Sequence, residues 1–223
     1  MKFVVTAGPT REHLDPVRFL SNPSPGKIGF AVAAEAARRG HEVVLVAGPV
    51  SLPTPKGVER VDVVDARGML AATQAAAVGG ASRGGAVVVV AAAAVADWRP
   101  ARCAPKKLKK AGMSGTLRLV RNPDILKTLS RLPAGERPLL VGFAAETGDA
   151  VAEAARKCRE KKLAFVVAND VTAKGAGFGS DTNLVAFVFP DGSATRLPLM
   201  TKRAVAGRIV SAAESMVAKK ARQ

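Results

Sequence analysis

Residues 86–96 read AVVVVAAAAVA, eleven consecutive apolar residues with Gly84-Gly85 before them and Asp97 after. A run with no polar face has to be covered on both sides, as a central strand of a parallel sheet is. It is far shorter than the roughly 20 residues needed to cross a bilayer. In open α/β sheets, ligands collect where such strands end. Here that end carries Asp97, the single tryptophan (Trp98), Arg99, Arg102 and the block Lys106-Lys107-Leu108-Lys109-Lys110. A carboxylate and a cluster of cations leaving one core strand suit a metal–nucleotide ligand.

The remaining segments supply a sheet around that strand. Lys2–Thr6 reads as a first strand, followed by an extended loop with four prolines among residues 9–25. A helix from about Gly26 to Arg39, stopped by Gly40, then leads to a second strand at Glu42–Ala47, a right-handed β-α-β crossover. Arg60–Val64 is a short strand and Ala66–Ala77 a helix. Residues 97–115 are too polar and proline-rich to be core, and Thr116–Val120 alternates like an edge strand. Asn122 and Pro123 open a helix, as cap and first-turn residue. Pro138–Phe143 and Leu163–Ala168 are buried strands with a helix, Asp149–Lys162, between them. Residues 184–189 and 194–198 pair across Pro190-Asp191-Gly192-Ser193, and a last helix spans about Thr201–Lys219. This order predicts one α/β domain over residues 1–223 with an arm, not two domains.

Composition narrows the ligand. Hydrophobic residues at 48% against 23% charged exclude disorder. Thirty-four Lys and Arg against 18 Asp and Glu leave a net charge of +16, which points to nucleic acid or to small polyanions. With no Tyr and one Trp, little is available to stack extended single strands. No zinc-finger, homeodomain or RNA-recognition signature is present. Phosphorylated metabolites are therefore favoured, and no nucleic-acid partner is expected. MKFVVTAG enters a strand-like run without a secretory core, and two cysteines form no disulfide framework, so a cytoplasmic location and no membrane association are expected. Cys103 and Cys158, with His13 and His41 as the only histidines, support neither a cysteine nucleophile nor a zinc site.

Four polar clusters follow strand ends, at 8–29, 97–110, 143–147 and 169–183, and parallel strands bring all four to one sheet edge. Neither GxGxxG nor GxxxxGK[ST] occurs, which disfavours a nicotinamide-dependent oxidoreductase and a Walker-type site. Ser24-Pro25-Gly26-Lys27 reads equally as an ordinary helix start and as free N–H groups for a phosphate. Arg18 and Asn22, taken alone, are a solvated arginine and a turn asparagine. Lys157 and Lys161 share a helix face, and spacing alone favours a surface role for both. Asp97 suits a Mg²⁺ that keeps most of its waters. Residues by themselves reach an α/β protein that binds an anionic, nucleotide-like ligand. A basic nucleotide- or nucleic-acid-binding protein without enzymatic activity is the alternative.

Eight motifs go further: TAGPTRE (6–12), DPVRFLSNPSPGKIG (15–29), AAVADWRP (93–100), KLKK (107–110), NPDIL (122–126), VGFAAET (141–147), ANDV (168–171) and FGSDTN (178–183). In this order they resemble phosphopantothenate–cysteine ligase (phosphopantothenoylcysteine synthetase), the synthetase half of the bacterial bifunctional coenzyme A biosynthesis protein. The resemblance implies a Rossmann-like three-layer α/β sandwich with a mainly parallel central sheet. It also implies a protruding arm at about 97–120 that dimerises the chain, and a C-terminal hairpin and helix at 184–219. The implied reaction joins 4′-phosphopantothenate to L-cysteine through an acyl-cytidylate made from CTP, with ATP as the other possible nucleotide. Carried over by position, Ala91, Ala92, Ala93, Asn122, Pro123, Asp124, Ile125, Phe143, Lys157 and Lys161 contact the nucleotide. Asp97 accompanies the nucleotide and Mg²⁺, Lys107 neutralises charge on the phosphate during activation, and Arg18 and Asn22 hold the acyl-nucleotide for the second step. A homodimer whose sites draw on both chains is implied. The chain begins just before the synthetase's first strand, so a stand-alone form is expected, without FMN and working with a separate phosphopantothenoylcysteine decarboxylase. Pro9, Pro23 and Pro25 depart from the family pattern, and each removes an N–H from the first loop.

Overall fold

The computed structural model describes residues 1–81, 85–109, 115–146, 150–170, 177 and 179–222. The first elements are β1 (Lys2–Ala7), β2 (Arg11–His13), β3 (Phe19–Ser21), α1 (Lys27–Arg38), β4 (Glu42–Ala47), β5 (Glu59–Asp62) and α2 (Ala66–Ala81). Next come β6 (Val87–Ala91), β7 (Trp98–Pro100), β8 (Leu119–Arg121), α3 (Ile125–Leu129), β9 (Leu139–Glu146), α4 (Ala150–Glu160) and β10 (Phe165–Asp170). The last are β11 (Thr182–Asn183), β12 (Val185–Val188), β13 (Ala194–Arg196), β14 (Met200–Thr201) and α5 (Lys202–Lys220).

Among the described residues an eight-stranded sheet runs β13-β12-β10-β9-β6-β1-β4-β5. From β10 to β5 the strands are parallel, whereas β12 and β13 join one edge antiparallel as a hairpin. Alternation along each strand sends neighbours to opposite faces. Phe3, Val5 and Leu45 pack in one cluster with buried residues of α1 and α5, and Val4, Val44 and Val46 in another with those of α2, α3 and α4. The result is a three-layer α/β sandwich with a mainly parallel central sheet. Burying side chains such as Phe3 and Leu45 completely stabilises it by about 1.5–3 kcal/mol each. In the first turn of α1, a Cβ on Gly29 would lie 2.5 Å from Ala7 Cβ and 2.9 Å from the Thr6 carbonyl oxygen. Glycine therefore lets the helix begin against the end of β1.

Four expectations are corrected. The apolar run is not strand throughout: β6 ends at Ala91, and residues 92–96 leave the ladder. Two of their N–H groups are met instead by hydroxyls of β1 and of the segment after it, as Thr6 Oγ1 accepts from Ala93 N at 3.2 Å and Thr10 Oγ1 from Ala96 N at 3.0 Å. The edge strand expected at Thr116–Val120 is β8, which pairs with β7 in a separate two-stranded ribbon. The two ends of the 97–120 arm thus pair with each other and not with the sheet. The α3 cap is Asp124, whose side chain accepts from Lys127 N at 2.9 Å, not Asn122. The proline-rich loop contains a hairpin, β2 against β3. Asp149, Thr147, Val171, Phe178, Lys110 and residues 175–176, parts of the segments singled out above, lie outside the described residues.

Candidate functional site

From β1 the strand order proceeds through β4 to β5 on one side, and from β6 through β9 to β10 on the other. The segments leaving β1 and β6 stay joined past the strand ends, by the Pro9–Ala94 bridge, and a crevice lies at the C-terminal strand ends near this reversal, where ligands collect in open α/β sheets. A cavity of about 440 Å³ occupies it, within the size range of small-molecule sites. Asn22 and Ser24–Ile28 line it from the segment after β3, and Ala92–Val95 with Asp97 from the segment after β6. Phe143 and Ala144 of β9, Lys157 of α4 and Asn169 of β10 form another wall, with Asn183 and Lys202 beside them.

Each wall has a local cause. Gly26, ahead of α1, sits at φ 81°, a left-handed conformation that favours glycine. No side chain caps this helix start, so its first-turn N–H groups face the cavity end of the helix uncapped, a favourable setting for an anion. The loop after β6 is held from both sides. Asn22 Nδ2 donates to the Ala94 carbonyl at 3.1 Å, Asn122 Nδ2 to the Ala96 carbonyl at 2.8 Å, and Ala94 N to the Gly8 carbonyl at 2.9 Å. Glu12 of β2 is buried and accepts from Ala66 N at 2.9 Å, which fixes the start of α2.

Among the described residues, Lys27, Lys157 and Lys202 give the cavity wall three cations against one carboxylate, Asp97. Lys27 Nζ pairs with Asp181 Oδ1 at 2.7 Å and donates to the Gly179 carbonyl at 2.8 Å. That contact holds the Asp181 carboxyl below its ordinary range. Lys202 is buried and donates to the carbonyls of Ser180 and Gly177. Desolvation, then repulsion from Lys27, pushes its ammonium pKa down. Among the described residues, Asn183 Oδ1 is buried without a hydrogen-bond partner, an acceptor on the lining that also carries Lys27 and Lys202.

Of the expected residues, Asn22, Ala92, Ala93, Asp97, Phe143 and Lys157 come together on this lining. Ala91, Asn122, Pro123, Asp124, Ile125 and Lys161 lie outside it. Asp124 is occupied by its cap and by Lys161 Nζ at 2.7 Å. Lys161 directly follows α4, its N–H donating to the Lys157 carbonyl at 3.1 Å in a further helical bond. Arg18 and Lys107 are also outside the lining. The Arg18 guanidinium instead meets Asp15 and the Leu108 carbonyl, and Lys107 is exposed next to that contact. Lys202 and Asn183 were not anticipated. Asn183 ends the FGSDTN motif, a signal that was present, but nothing local marks a lysine at a helix start as buried.

For Mg²⁺ the donor set is sparse. No group of three or more His, Cys, Asp or Glu that could hold a metal occurs among the described residues. Asp97, the one carboxylate among the described residues of the lining, fits an ion held mainly by water and substrate phosphates, and does not fit an all-protein cage. No described helix is long and apolar enough to cross a membrane.

Comparison with known proteins agrees with this architecture. The coenzyme A biosynthesis bifunctional protein CoaBC of Escherichia coli (strain K12) is 46% identical over 205 residues, covering 91% of this chain and 48% of that protein. Its counterpart in Bacillus subtilis (strain 168) is 46% identical over 208 residues, covering 93% of this chain and 49% of that protein. The chain thus spans about half the length of the curated relatives it matches. The crystal structure of the C-terminal domain of a CoaBC protein superposes with a TM-score of 0.79 at 38% identity, covering 98% of this chain and 96% of that one. Residues 1–216 match the model of the DNA/pantothenate metabolism flavoprotein C-terminal domain, and the chain belongs to that family.

Proposed function

We propose that this chain is a phosphopantothenate–cysteine ligase that uses CTP. The observation that carries the reading is the convergence of Lys27, Lys157, Lys202 and Asp97 on one cavity at the strand-order reversal. A triphosphate and a phosphorylated acid are both polyanions, and three lysines with an uncapped helix start offset the repulsion of bringing them together. Identity of 46% to proteins named for coenzyme A biosynthesis supports the substrate class.

A carboxylate acylates an amine poorly until its oxygen becomes a good leaving group. In the proposed reaction the 4′-phosphopantothenate carboxylate attacks the α-phosphorus of CTP, forming an acyl-cytidylate and releasing pyrophosphate. The cysteine amino group then attacks the acyl carbon, CMP leaves, and the amine proton is lost. Asp97 would hold Mg²⁺, which when bound offsets phosphate charge. Ala91–Ala93 and Phe143 contact the nucleotide, whose base extends toward Asn122, Pro123, Asp124 and Ile125, with Lys157 and Lys161 contacting it from α4 and the residue that follows that helix. Asn22 orients the acyl group for the second step, together with Arg18. Lys107 lies on the arm, and we assign it to the cavity of a second protomer, where it neutralises charge on the phosphate undergoing attack.

The test is product formation. The protein with 4′-phosphopantothenate, L-cysteine, CTP and Mg²⁺ is expected to give phosphopantothenoylcysteine, detected by mass, and omitting any one of the four should abolish it. No product with either CTP or ATP would end the reading.

A further inference from the structure

We infer that Asp15 is a positioning residue whose carboxylate clasps the Arg18 loop to the backbone beside Lys107, holding as one unit the groups assigned to the two half-reactions. The catalytic consequence rests on the ligase reading; the clasp itself does not.

The Asp15 side chain is completely buried, and both of its oxygens are filled. Oδ1 accepts from the backbone N–H of Val17 at 2.9 Å and of Arg18 at 2.8 Å. These two bonds form an Asx turn, which an Asp ahead of a proline commonly starts. A turn needs nothing more. Yet Oδ2 accepts from Arg18 Nη2 at 2.6 Å, from Arg18 Nε at 3.1 Å, and from Leu108 N at 3.1 Å, 93 residues away. Two further bonds cross the same gap, Ala104 N to the Leu14 carbonyl at 2.8 Å and Arg18 Nη2 to the Leu108 carbonyl at 3.0 Å. Lys107 is therefore one residue from a backbone N–H fixed by the carboxylate that also fixes Arg18. The Arg18 contact, with the backbone bonds, holds the Asp15 carboxyl well below the usual carboxylate range, so the clasp stays charged at neutral pH.

Asp15→Asn is close to isosteric but cannot replace this set. An amide offers one acceptor oxygen and a donor NH₂, so in either flip the NH₂ faces N–H donors on one side. Two measurements follow, both at a temperature where circular dichroism shows the variant folded. In limited trypsin digestion, cleavage at Lys106–Lys109 is expected to be at least about tenfold faster in Asp15→Asn than in wild type, because local opening no longer breaks a charge-assisted bond. In the ligase assay, kcat is expected to fall roughly 100-fold, the scale of a misplacement of about 1 Å, while KM for CTP is unchanged. Adding Asp15→Asn to Arg18→Gln should cost little more in kcat than Arg18→Gln alone, since coupled residues are not additive. Wild-type cleavage and wild-type kcat in Asp15→Asn overturn the clasp, and so does full additivity with Arg18→Gln. Should Asp15→Asn not fold, Arg18→Lys serves: it keeps the charge and loses the guanidinium fork, so faster cleavage at 106–109 supports the clasp and wild-type cleavage overturns it. An inactive wild-type protein would end the ligase reading and leave the digestion result to decide the clasp.

Discussion

Asn22 donates its side-chain amide to the carbonyl of Ala94, 72 residues away, at 3.1 Å. That bond ties the loop preceding α1 to the loop that follows β6, across the crevice where the cavity lies. A carboxylate at position 22 has no hydrogen to donate and would face the carbonyl oxygen instead. Asn22→Asp is expected to leave activation largely intact and slow the second step by roughly 100-fold. Quenched reactions with labelled CTP should then show acyl-cytidylate accumulating; an intermediate level equal to wild type would refute the role given to Asn22.

The two cysteines should differ in reactivity. Cys158 is buried, with Sγ 3.4 Å from the Leu163 carbonyl, and burial pushes its thiol up to about 11. Cys103 is exposed. A thiolate is the reactive form, so at neutral pH a thiol reagent should label one cysteine per native chain and both after denaturation. Two labelled cysteines in the native protein would contradict the placement of Cys158 in the core.

Gly29→Ala should destabilise the fold. Its methyl would sit 2.5 Å from Ala7 Cβ, between a helix and a strand that are both fixed. The expected loss is about 1–3 kcal/mol, or several degrees in Tm at this chain length. Thermal unfolding measures it, and an unchanged Tm would show that α1 can move away from β1.

Acid stability should depend on Glu35. This largely buried carboxylate accepts from Arg38 Nε and Nη2 and from Arg39 Nε, each at 2.8 Å. Arg38 first, then Arg39, lowers its pKa to about 2 against the opposing effect of burial. The folded-state pKa is below the unfolded one, so its stabilising contribution is complete above the ordinary carboxylate value of about 4.3 and is lost as pH falls toward 2. Glu35→Gln should therefore be less stable than wild type at pH 7, and the difference should shrink between about pH 5 and pH 2. Denaturant unfolding across that range checks it; a constant difference would contradict the account.

Much of this fold was legible in the sequence because long apolar runs and helical spacing are strong signals. β1, β4, β9, β10 and the 184–198 hairpin stand close to where the runs predict them, and so do α1, α2 and α5. Three-residue strands carry no periodicity, so β2 and β3 were invisible inside a proline-rich loop. Asn122 and Asp124 are comparable caps by type. The competition is settled by tertiary structure, where Asn122 is drawn to the Ala96 carbonyl and Asp124 is left to cap α3. The end of β6 was misjudged because residues 92–96 are as apolar as the strand, and the hydroxyls that redirect them belong to Thr6 and Thr10. Lys202 and Asp15 escaped for a related reason. A buried charge is defined by partners distant in sequence, the carbonyls of Gly177 and Ser180 in one case and Leu108 N in the other.

The central claim is activation of a carboxylate by a nucleotide in the cavity at the C-terminal ends of β6, β9 and β10, and pyrophosphate release without cysteine tests it most directly. Wild-type protein with CTP, Mg²⁺ and 4′-phosphopantothenate should release pyrophosphate, none should appear when phosphopantothenate is omitted, and Lys107→Gln should abolish the release. No pyrophosphate with CTP or ATP, or release that does not require phosphopantothenate, would contradict the account.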